Sequence, residues 1–161
     1  AGDDILDHLG RDQLPADLLA AFVRWCVWEQ AQPALVHILE RTGLSPQAKT
    51  LRAVEQDYKA LAETATAIGE HAHEARQQTG PLGLSTAEAA AFLVQKLALS
   101  ATDAEFDPEG VAFFTAQVCG WSGFADASFA DPKGKQNAER SARDAQRTKL
   151  AALWRAHGQS S

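Results

Sequence analysis

Strand-forming residues are scarce in this chain of 161 residues: Val, Ile and Thr are thin, and Tyr occurs once. Ala, Leu, Glu, Gln and Arg dominate instead, and these lose little conformational freedom on entering a helix. No stretch alternates apolar and polar residues as a half-buried strand would, and no low-complexity tract is present. The only cysteines are Cys26 and Cys119. Two thiols give neither a disulfide framework nor zinc spacing, and both lie in apolar runs where free cysteine behaves as a small hydrophobe. Also missing are a leader-type segment, a clean bilayer-length apolar run, a phosphate loop, a Gly-x-Ser-x-Gly elbow and carboxylates that spacing forces together. These absences lead us to expect a cytoplasmic, non-enzymatic protein with no cofactor and no membrane segment.

What is present reads as helix. The run Leu18 to Leu39 is apolar nearly all round and should be a helix buried on most faces. Arg24, Glu29, Gln30, Gln32 and His37 interrupt it, which argues for a core helix rather than a membrane span. Pro33 should kink or break it near Glu29 to Gln32, either to curve the helix round its neighbours or to open a notch for a ligand. From Leu51 the positions Leu51, Val54, Tyr58, Leu61, Ala65, Ile68, Ala72 and Ala75 repeat at 3-4 spacing, so one long helix is expected over 46–78, with any bend at Gly69. Gly80-Pro81-Leu82-Gly83 should turn the chain, and Ser85 with Glu88 forms a capping-box pattern for a largely buried helix containing Phe92 and Leu99. Asp107-Pro108 and Asp131-Pro132 start two more helices, the first thinned by Gly120 and Gly123, which either admit a neighbouring backbone or split it. Trp25 and Phe114 are expected in the core. The fold class is therefore all-α: a single domain spanning 1–161, a bundle of five or six helices about a buried central helix, with 1–13 as a lead-in.

Charge is divided unevenly. Residues 131–161 carry seven basic against three acidic side chains, and 1–130 carry eight basic against eighteen acidic. That division concerns partners rather than fold. An acidic body suits a basic protein partner, and the candidates are Asp3, Asp4, Asp7, Asp12 and Asp17 near the start with Glu63, Glu70 and Glu74 on the outer face of the long helix. Arg140, Arg143 and Arg147 line one face of the last helix and are the alternative, a nucleic-acid contact; Glu139 and Asp144 stand where they can pair with Arg143 and Arg147 instead. Glu70 and His73 have Glu-x-x-His spacing, but both fall outside the seam and no second such motif exists, so no metal is expected. Arg24 with Trp28, and Trp25 with Glu29, form an aromatic and charged ladder that serves either intrachain cation–π packing or a binding hot spot.

Trp25-Cys26, the apolar run ending in Leu39-Glu40, the Ala-rich middle helices and the closing order Glu139, Arg143, Gln146, Leu150 resemble small, Ala-rich, all-helical bacterial immunity proteins found beside toxin genes. The chain departs from that pattern at Cys119-Gly120-Trp121-Ser122-Gly123-Phe124. The resemblance implies a binder that neutralises a cognate toxin, with no catalytic residues; the acidic body suits a basic partner such as a nuclease toxin, and another defence or stress partner is the wider expectation.

Overall fold

Pro33 decides the course of the central helix. In a regular α-helix it would leave the Glu29 carbonyl without a donor and press its ring against it. In the computed structural model, which describes residues 4–10, 14–78 and 82–159, the helix widens at this point instead of breaking. Ala16–Trp25 (α1) passes through a π turn, Cys26–Ala31, into Gln32–Arg41 (α2), and the Gln32 N–H reaches the Val27 carbonyl five residues back. Phe22, Val27, Leu35, Ile38 and Leu39 are fully buried along it. Gly43, at φ +79°, ends α2 while the Leu44 N–H returns to the Leu39 carbonyl at 2.8 Å.

Around this element stand Ser45–Arg52 (α3), Tyr58–Gln78 (α4), Leu84–Ser100 (α5), Pro108–Asp126 (α6) and Pro132–Gln159 (α7), with 3-10 turns at Ile5–Gly10 and Asp103–Glu105. Among the described residues there are seven α-helices in one domain and no strand. The number exceeds five or six partly because the stretch expected as one helix over 46–78 is two. Gln56 takes a left-handed φ of 52°, Asp57 accepts the Ala60 N–H at 3.0 Å to start α4, and Gln32 donates to the Leu51 and Val54 carbonyls, both at 2.8 Å. The apolar seam nevertheless continues across the break, with Leu51, Leu61, Ala65, Ile68 and Ala72 buried, and α4 runs unbroken through Gly69. The first 3-10 turn is packed down by buried Leu6 and Leu9 and lies against α6 and α7.

Helix α6 is not split at its glycines. A Cβ on Gly123 would meet the Gly134 carbonyl oxygen and the Ala138 Cβ at 2.4 Å, so the two backbones touch because neither carries a side chain there. The Ser85–Glu88 capping box does not form: α5 starts behind Gly83, at φ +96°, with no side-chain cap. The Phe129 ring occupies the space a Cβ on Gly83 would need. Trp25 and Phe114, expected in the core, are only partly buried at its edge, and Phe92 and Leu99 are exposed, because α5 is apolar on more faces than its neighbours cover.

Gly123→Ala should destabilise the protein by about 1–3 kcal/mol, the range for overpacking. Gly69→Ala, whose Cβ meets only Ala91 at an ordinary 3.7 Å, should be neutral or stabilising by up to about 1 kcal/mol. Urea melts of the two variants check this, and equal losses would contradict the close crossing of α6 and α7. Phe22→Ala should cost about 3–5 kcal/mol, with Phe114→Ala at roughly half that or less, since only the former deletes a fully enclosed ring. The same melts read both.

Candidate functional site

Helices α4 and α5 form a hairpin at one side of the fold, and small residues along their junction leave a groove with a volume of about 650 Å³. Ala65 and Gly69 of α4 and Ala89 of α5 line its base, and Phe92 forms a wall with 56% of its surface exposed. The expected acidic positions Glu70 and Glu74 stand one turn apart along the α4 side. Neither is in an ion pair among the described residues. At the end nearer the α4–α5 connection, Glu88 binds His73 at 2.9 Å and Arg76 at 3.0 Å, bridging the two helices. The Glu-x-x-His pair is thus outside the core as expected, and among the described residues no three His, Cys, Asp or Glu side chains gather as a metal site.

Beyond Phe92 the apolar surface continues over α5 and α6. The Lys96 ammonium lies 5.1 Å from the Phe92 ring centre and 5.4 Å from that of Phe114, which is edge-on to exposed Phe113. Leu99 extends the stripe along α5. Sequence reading missed this surface. Phe92, Lys96 and Leu99 share one face by their spacing, but nothing in an apolar helix says which face its neighbours will leave open.

The other candidates are dispersed. Glu63 is exposed on α4 and borders a separate shallow cleft with Gln47 and His71. Asp3 and Asp12 lie outside the described residues, as do Gly80 and Pro81. Asp17 is exposed, 3.8 Å from His157. Asp7 borders a polar hollow with Asp107, Glu109 and Arg143. Asp4 is held by Arg147, whose Nε and Nη2 donate to its carboxylate at 3.0 and 2.8 Å, while Nη1 donates to Asp144 at 2.8 Å.

The three arginines of α7 consequently do not present one free basic face. Arg143 donates to the Oε1 of Gln146 at 3.1 Å, and Glu139 pairs with Lys135 rather than with Arg143. Gln146 is fully buried and donates to Gln30 Oε1 and the Ala112 carbonyl. Arg140 remains exposed. The ladder expected along the central helix resolves into ring packing, Trp28 on Tyr58 and Phe22 on Trp25, while among the described residues the cations over rings are Lys96 and Lys135.

Beside Pro33 a cleft of about 320 Å³ is bordered by Val36, His37, Glu40 and Arg52, with Glu40 and Arg52 ion-paired across it. The polar residues before it serve the fold: Gln30 and Gln32 both bond to other helices. Cys26 and Cys119 are free thiols, and burial pushes Cys26 far up and Cys119 up to about 11. Both stay protonated near neutral pH, and Cys119 donates to the Gln30 carbonyl at 3.8 Å.

Hydrogen bonding from Arg147 holds the Asp4 carboxyl below the usual aspartate range. Asp4→Asn keeps an acceptor for the Leu6 N–H and removes the charge, so at neutral pH it should cost roughly 0.5–1 kcal/mol, reduced by solvent screening of a partly exposed pair. The native pair's contribution is fully present above the ordinary aspartate pKa of about 3.9 and fades as pH falls through the lowered value. Thermal melts across that range should show the two proteins converging in acid; a constant difference would contradict the ion pair.

Comparison with protein-family models, with curated proteins and with solved structures returned no match for this chain.

Proposed function

We propose that this chain is a non-enzymatic protein-binding module of the bacterial cytoplasm, acting as an immunity-type protein that neutralises a toxin or another defence or stress partner. The observation that carries the reading is the exposed α4–α5 groove. It joins an apolar base to an aromatic wall and continues into the Lys96, Phe113 and Leu99 surface. Exposed aromatic rings beside apolar hollows are features of protein interfaces, where such anchors supply much of the binding energy. The acidic body favours a basic partner by speeding encounter and selecting charge. Two free thiols, Cys26 buried and Cys119 partly buried, suit a reducing compartment.

A nuclease toxin is one partner with the required positive charge. Capture from the source cell at low and moderate salt should retain a basic protein that is toxic when expressed alone and harmless when co-expressed with this chain. Phe92→Ala, a change on the surface, should abolish both retention and protection while leaving the melting curve nearly unchanged. A captured protein without toxicity would sink the immunity assignment, and turnover of a small molecule by the purified chain would sink the module reading itself.

A further inference from the structure

The groove has the dimensions and charge layout of a seat for one helix. Its α4 side runs from Ala65 to Arg76, about 16 Å at 1.5 Å per residue, or three turns. Small residues at the base let another helix approach closely, since interaxial distance is set by the side chains at the contact. The two long sides differ in charge. Glu70 and Glu74 stand on the α4 side without an ion pair among the described residues, whereas the α5 side is lined by Ser85, Glu88, Ala89, Phe92 and Gln95, of which only Glu88 is ionic. Glu88 is already neutralised by Arg76 and His73, so the acidic character facing an incoming segment comes from Glu70 and Glu74.

We propose that the groove receives an amphipathic helix of a protein partner, its apolar face on Ala65, Gly69, Ala89 and Phe92 and a lysine or arginine flank against Glu70 and Glu74. This deepens the protein-binding reading and rests on it. Anchors on such a helix recur at i, i+3 or i+4 and i+7, about 10 Å at 1.5 Å per residue, which the length of the groove accommodates. The charge difference between the two sides also fixes its facing. Basic residues belong over α4, beside Glu70 and Glu74, and the flank over Ala89, Phe92 and Gln95 of α5 is uncharged. A helix with the opposite charge would place carboxylates against Glu70 and Glu74 and be rejected.

The test uses the full chain and two labelled peptides of roughly 18 residues, long enough for five helical turns. One is an amphipathic Leu/Lys helix and the other has every Lys replaced by Glu. Fluorescence anisotropy should show the Leu/Lys peptide binding, with affinity falling as salt rises, and the Leu/Glu peptide binding at least about tenfold more weakly, a difference of about 1.4 kcal/mol. The double variant Glu70→Lys with Glu74→Lys, and separately Phe92→Ala, should each weaken the Leu/Lys peptide about tenfold or more. The exposed control pair Glu29→Lys with Glu55→Lys changes net charge equally and should retain binding. Equal loss in groove and control variants means a diffuse attraction to an acidic protein and overturns the proposal, as does tighter binding of the Leu/Glu peptide. The same variants are then tested against the partner captured from cells. Capture undiminished by the groove variants would overturn the helix seat and leave protein binding standing; absence of any captured protein would count against the protein-binding reading, while the peptide result still decides the groove.

Discussion

A proline that cannot donate a hydrogen bond sets the relations among four helices. Because Pro33 leaves the α-helical pattern unsatisfied, the chain adopts a π turn over Cys26–Ala31, and that wide turn presents polar groups in directions a regular helix would not. Gln30 donates to the Ala142 carbonyl of α7 and accepts from Gln146, while its own carbonyl receives the Cys119 thiol of α6. Two residues on, Gln32 bonds the Leu51 and Val54 carbonyls where α3 ends. The buried Gln146 amide and the partly buried Gln30 and Gln32 amides find partners on other helices, so these polar groups specify which helices meet rather than merely costing desolvation.

A second constraint acts through missing side chains. Gly120, Gly123 and Gly134 bring α6 and α7 into backbone contact, which carries α7 close enough for Gln146 to reach the π turn. Gly83 acts next to the α6–α7 connection, admitting the Phe129 ring and allowing the left-handed backbone that starts α5. Helix α5 is thereby fixed between α4 and α6 with an apolar circumference larger than the surface those helices cover. The uncovered remainder is Phe92, Lys96 and Leu99.

The electrostatic division of the chain is partly spent inside the molecule. Arg147 is engaged by Asp4 and Asp144, Lys135 by Glu139 and the Trp121 ring, and Arg143 by Gln146. The basic last helix thus holds the amino-terminal turn and α6, which leaves it poorly arranged as a continuous basic face. Among the described residues Glu70 and Glu74 on α4 are in no ion pair, and they border the groove.

The sequence by itself determined the all-helical class, the buried central run, the helix starts at Asp107 and Asp131, the stop at Gly43 and the outward position of Glu70 and His73. Those are local matters, decided by period, capping chemistry and backbone freedom. The break between α3 and α4 was hidden because the apolar seam keeps its 3-4 phase through Val54 and Tyr58, while the cap is a single aspartate and the released carbonyls are bonded by Gln32, about twenty residues away. Only the tertiary structure decided that Glu88 would clasp His73 and Arg76 instead of capping its own helix, since that choice depends on a neighbouring helix lying within reach. The same holds for Phe92: periodicity shows that a helix is apolar on many sides, but exposure is a property of what packs against it, and α4 and α6 together leave one side of α5 uncovered.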